Sequence, residues 1–205
     1  MLTGDRMPAD LMQTLLTSHK GVDLHAATAR RVMQRRLTGG DKLADLRRCE
    51  FHVFGGGVAA TTDPAPTLAY LLGTGRYYNP NKHSYGHFEL ASDFGWDQGS
   101  GGALPAGWPG RPLDSDTGAA DASLLDVLLG GCAPREHVAV DVAAWARGQE
   151  GGLVSGTLWR LIVGGGVDEA LATGMALAVA RSGHEGLLVN PHLEHWLVAA
   201  GPAGA

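Results

Sequence analysis

The 205 residues predict an α+β sandwich of duplicated β-α-β units, on three observations. Residues 51–58 read FHVFGGGV and residues 160–167 read RLIVGGGV. Each Gly triplet leads into a helix-like stretch and then to Asn-Pro, at Asn79-Pro80 and at Asn190-Pro191. Each Asn-Pro is followed by a His-aromatic pair, His87-Phe88 and His195-Trp196, opening an apolar strand. The same features in the same order twice argue for one mostly antiparallel sheet with helices on one face.

The elements follow from local pattern. Pro8 suits the first turn of a helix to about Ser18, with Leu11, Leu15, Met12 and Leu16 on its apolar side. Asp23 is a good N-cap for a second helix to about Leu37, which Gly39-Gly40 ends, and a short third helix spans Asp41 to Arg48. Strand one is Glu50–Phe54. After the first triplet, Asp63-Pro64 starts a helix whose body is Thr67–Leu72, and strand two is Gly86–Ala91. Residues 92–120 hold Gly and Pro without periodicity, a long loop whose Phe94, Trp96 and Trp108 predict that it packs on the body or on a partner. A helix at Asp121–Leu129, strands at His137–Arg147 and Thr157–Val163, a long helix at Asp168–Arg181 and a last strand over Leu187–Ala200 complete the chain. The expected segments are 1–49 basic and helical, 50–91 the first unit, 92–120 the loop, and 121–205 the second unit. Two β-α-β units side by side resemble the ferredoxin-like plan in general, a plan that hosts many functions.

Charge is uneven. Between His19 and Cys49 stand eight Lys/Arg against three Asp, a balance of +5, which leaves −10 on the rest of a chain of net charge −5. The net charge gives no general attraction to nucleic acid or anionic membranes. No apolar run reaches bilayer-spanning length, and the start lacks a basic region followed by an apolar one, so a cytoplasmic protein without a membrane partner is expected. Cys49 and Cys132 form no CxxC and read as two reduced, buried thiols.

Candidate chemistry is sparse. The Gly triplets are neither GxGxxG nor a Walker loop, and acidic residues open the following helices, which disfavours phosphate. His83 and His87 are the candidate acid/base residues. Together with His192 and His195 they form the weaker candidate metal set, if the two copies approach each other. Whether a cofactor is used is not readable from the residues. The segment Arg76, Tyr77, Tyr78, Asn79, Lys82, His83 and Tyr85 has the composition of a binding surface, which the second copy lacks. Arg30, Arg31, Arg35 and Arg36 give the N-terminal helices a basic face for an acidic partner or RNA. Three readings result: a non-catalytic binding or assembly module of a larger complex, with a protein partner or a homo-oligomer; a small enzyme with a His site at the Asn-Pro turns acting on an anionic small molecule; and an RNA-binding subunit of a ribonucleoprotein.

Overall fold

The computed structural model describes residues 12–54, 64–90, 101–105, 107–121, 123–132, 134–149 and 153–202. In chain order they form β1 (Met12–His19), α1 (Leu24–Arg36), β2 (Leu43–Phe54), α2 (Pro64–Gly73), β3 (His83–Leu90), β4 (Gly102–Ala103) and β5 (Arg111–Ser115). Then come α3 (Leu124–Leu128), β6 (His137–Ala146), β7 (Leu153–Gly164), α4 (Val167–Ala178) and β8 (Glu194–Pro202). The class is α+β. All the strands join one eight-stranded sheet in the order β4-β8-β6-β7-β2-β1-β3-β5, antiparallel except for the β4–β8 pair.

The first expected helix is instead β1. Gln13, Thr14, Leu15, Leu16, Thr17 and Ser18 are all buried, because β1 lies between β2 and β3 with both faces covered. A strand buried on both faces loses its alternation, and the residual apolar spacing imitates a helix stripe. Over the described residues, from 12 on, the expected helical preface is therefore a strand of the sheet followed by a helix packed on it, and residue 50 falls inside β2. The third expected helix is a single 3₁₀ turn, Gly40–Lys42, after which β2 begins.

A capped α1 forms as its sequence dictates. The Asp23 carboxylate accepts from the His25 and Ala26 N–H groups at 2.9 and 3.2 Å, and Arg35 and Arg36 complement the helix dipole in the last turn. At the second triplet, Gly164 ends β7, Gly165 turns the chain at φ 109°, and Gly166 caps α4. The first triplet, residues 55–57, and the loop positions Phe94 and Trp96 lie outside the described residues.

Strand alternation sorts the core. Leu46, Leu161 and Val140 point to the face covered by α1 and α4; Phe54 and Leu15 point to the same face under α2. Cys49, Phe51 and Leu158 point to the other face, under α3 and Trp108. So three helices share one face, but the short α3 covers the opposite one, where the helices were expected on a single face. Of the long loop, residues 107–115 pack back on the body, with Trp108 edge-on to Phe51 at 5.9 Å. Cys49 is buried but Cys132 is exposed, contrary to expectation.

The four-stranded ferredoxin-like sandwich is not what the chain builds. Each crossover, β2-α2-β3 and β7-α4-β8, straddles a strand that precedes it, β1 or β6. The two Gly-triplet strands nevertheless occupy equivalent places, paired antiparallel at the centre of the sheet. Cys49 lies opposite Leu158, and the spacing between those two is also that between Phe54 and Val163, the residues before the two triplets. A local two-fold axis therefore runs between Cys49 and Leu158.

Candidate functional site

The Asn-Pro turns are true structural equivalents. Asn79 accepts at its side chain from the Asn81 N–H (3.0 Å) and at its carbonyl from those of Lys82 and His83. Asn190 does the same for His192, Leu193 and Glu194. The His-aromatic pairs are not equivalent. His87 stands eight residues after its Asn and His195 five after its own, so they point to opposite faces of the sheet: His87 toward the α2 side and His195 against Trp145. β3 and β8 are also five strands apart, about 24 Å at the usual strand spacing. The two histidine pairs do not meet.

On β3, His87 is 1% exposed and its Nε2 lies 2.8 Å from the Gln13 side-chain oxygen. Burial lowers its pKa to about 4. His83, one turn of pleat away, instead stacks edge-on to His19 at 5.0 Å, and burial followed by the neighbouring His19 lowers its pKa. His52 behaves like His87: burial lowers its pKa to about 4, and its Nδ1 lies 2.8 Å from Ser155 Oγ.

Most of the tyrosine-rich segment turns inward. Tyr78 donates to Asp116 (3.0 Å) and Tyr85 to Asp114 (2.9 Å), with the two rings 5.2 Å apart. Burial, and then the Asp116 carboxylate, raise the Tyr78 pKa to about 12. Tyr77 covers His52 at 4.8 Å, and Arg76 lies over the Tyr77 ring at 5.3 Å. Only Arg76 and Lys82 of this segment's charged groups stand exposed. The segment closes the α2 side of the sheet more than it presents a surface.

The basic N-terminal region divides sharply. Lys20 pairs with Asp116, Arg30 and Arg47 with Asp45, Lys42 with Glu169, and Arg48 with Asp23. Arg31, Arg35 and Arg36 are exposed and form no ion pair among the described residues. They lie on the outward face of α1 with Leu24 and Val32, 72% and 38% exposed.

Beside that face, an open pocket of about 700 Å³ lies between the β1–α1 corner, the start of β2 and the end of α3. Arg48 spans its wall: its Nε donates to Asp23 (2.8 Å), its terminal nitrogens approach His25 Nδ1 (3.1 Å) and His19 Nε2 (3.4 Å), and its carbon lies 5.7 Å from the Trp159 ring centre. Burial pushes the Asp23 carboxyl up, but the Ala26 N–H and the Arg48 charge outweigh it and hold the pKa below the ordinary value. Burial likewise opposes, and the Arg47 and Arg30 hydrogen bonds overcome, at Asp45. Of the expected site residues only Arg30 lines this pocket. Val22, Asp23, Arg47, Arg48 and Val127 were not anticipated, since they converge from segments up to about a hundred residues apart and no local motif joins them.

No family model, curated protein or solved structure matches the chain, so the functional reading rests on this geometry.

Proposed function

We propose that the chain is a non-catalytic binding module of a larger cytoplasmic assembly, holding a protein partner through the outward face of α1. One observation carries the reading. Of the eight basic residues between His19 and Cys49, five are used up in internal ion pairs, and the three that remain are neighbours on one helix face. Leu24 and Val32 sit among them, and exposed apolar side chains interleaved with arginine suit a protein interface better than a phosphate backbone. The His-based alternative finds less support, because His87 is enclosed against Gln13.

The test is recovery of the native assembly with wild-type chain and with Arg31→Glu/Arg35→Glu/Arg36→Glu. The variant is expected to fold with a Tm lowered by a few degrees, since Glu at positions 35 and 36 opposes the helix dipole at about 0.3–1 kcal/mol each, and to lose its partner. An Arg76→Glu control, in the turn after α2, keeps it. A partner retained by the triple variant, or wild-type chain recovered alone at micromolar concentration, overturns the reading. Recovery of RNA whose binding weakens steeply with salt replaces it with the ribonucleoprotein reading.

A further inference from the structure

We infer that the pocket beside α1 receives an aromatic side chain from an acidic segment of the partner; this rests on the docking face proposed above. The pocket's charges are already paired, although Arg30 Nε is buried without a hydrogen-bond partner. Arg30 and Arg47 share Asp45, Arg48 holds Asp23, and Lys20 holds Asp116. An anion entering here must compete with carboxylates in place, so the pocket is no ready anion site. What it offers is apolar wall from Ala26, Ala27, Leu46, Leu128 and Leu129, with Val22 and Val127 at its exposed rim. Those two are 78% and 44% exposed, apolar surface that is left uncovered at the rim of a cavity.

The paired guanidiniums specify the kind of apolar group. An arginine whose edge is held by a carboxylate still presents its planar face, which is weakly hydrated and attracts an aromatic ring. Arg48 has spent a face on Trp159 at 5.7 Å, whereas Arg30, held by Asp45 and with its side chain 40% exposed, has one to offer. An aromatic anchor in an Arg-walled pocket is the usual form of an interface hot spot.

The acidic character of the segment follows from the helix. Ala27 lines the pocket, and Arg31 and Arg35 continue its stripe along α1 at one and two turns, about 6 and 12 Å away. An extended segment covers those distances in about two and four residues. The partner segment therefore carries an aromatic residue with Asp or Glu two to four positions away. Among the described residues, the exposed aromatic Tyr70 of a second copy is not such a segment, because PAPTLAYLLG of α2 holds no acid.

The experiment places a photo-cross-linking p-benzoylphenylalanine at Val22, at Val127 or at Val32 of the full chain in its host cell, with mass spectrometry of the adducts. Val22 and Val127 are expected to capture one peptide with an aromatic residue and at least one Asp or Glu within four positions. Ala27→Trp, which plugs the pocket, is expected to remove the Val127 adduct and weaken partner binding by about tenfold or more. Should Ala27→Trp lower the Tm markedly, Val127→Asp at the rim, read by the Val22 adduct and by partner binding, replaces it. Adducts to a segment lacking either residue type, to RNA or to a second copy, or an Ala27→Trp variant that keeps both the Val127 adduct and wild-type partner binding, overturn the inference. Capture from Val32 without capture from Val22 or Val127 overturns the pocket alone and leaves the docking face standing; no capture from any of the three overturns both.

Discussion

Arg160 carries a charge into the sheet, where its side chain is 7% exposed. Its Nε and one terminal nitrogen donate to the two oxygens of Asp141 at 2.7 and 2.8 Å, and its other terminal nitrogen donates to Asp126 on α3. Removing one member of such a set leaves the others charged and half-buried. Arg160→Ala is expected to cost about 3–5 kcal/mol in urea unfolding. Arg160→Met combined with Asp141→Leu and Asp126→Asn is expected to recover most of that loss, because the desolvation cost goes with all three charges. His52 and His87 set the acid side of the stability profile. Burial lowers both from 6.5 to about 4. The unfolded chain takes up these protons as pH falls through 6.5 while the folded chain refuses them until about 4. Stability is therefore full above 6.5 and is lost on the way down to 4, with a slope approaching about 2.7 kcal/mol per pH unit for two protons. Urea midpoints measured between pH 7.5 and 4.5 should show this slope, and replacing either histidine with Gln should halve it. An unchanged slope in both variants would assign the acid sensitivity to other groups.

At the scale of elements, α4 lies unusually close to the sheet. A Cβ on Gly174 would stand 2.7 Å from Val140 Cγ1 and 3.0 Å from its Cβ, and the β-branched side chain cannot swing away. Gly174→Ala gains up to about 1 kcal/mol of helix propensity but overpacks this contact, at a cost of about 1–3 kcal/mol. A net loss of stability is expected, and a double-mutant cycle with Val140→Ala should show favourable coupling of the pair; additivity would mean that the helix simply shifts. The same scale explains what the sequence could disclose. Asp23 announces α1, and Gly164 to Gly166 announce the β7–α4 turn, because cap and turn chemistry is local. Asn79 and Asn190 were legible for the same reason. β1 was not, because burial on both faces erased its alternation. Neither was the pocket: Arg48 meets Asp23 only after the β1–α1 corner folds back along β2, and Val127 joins from α3. The pairing of Lys20, Arg30, Lys42, Arg47 and Arg48 was equally hidden, so a broad basic region had to be read where only Arg31, Arg35 and Arg36 remain.

For the whole molecule, the repeat in the sequence predicts two units, and the question is whether they behave as two. The structure joins them along β2 and β7, from Leu43 opposite Val163 to Phe54 opposite Leu153. Phe51 is fully buried at this seam. It lies opposite Gly156, and its ring meets Trp108 from the long loop at 5.9 Å and Trp145 from β6 at 6.5 Å. A Cβ on Gly156 would come within 2.5 Å of the Phe51 ring, so the glycine is the space the ring occupies. One side chain thus packs against both sides of the local two-fold axis. Unfolding one unit exposes this ring and strips β2 or β7 of its neighbour, which leaves the other unit with a long, flat open edge. A single cooperative transition is therefore expected, with tryptophan fluorescence, dominated by the second unit, coincident with far-ultraviolet circular dichroism. Phe51→Ala should cost about 3–5 kcal/mol and keep the two probes coincident, since the loss falls on both units. Transitions that separate in this variant, with the tryptophan signal holding at the wild-type midpoint, would show that each repeat folds by itself and that the β2–β7 seam is a docking contact between two finished units.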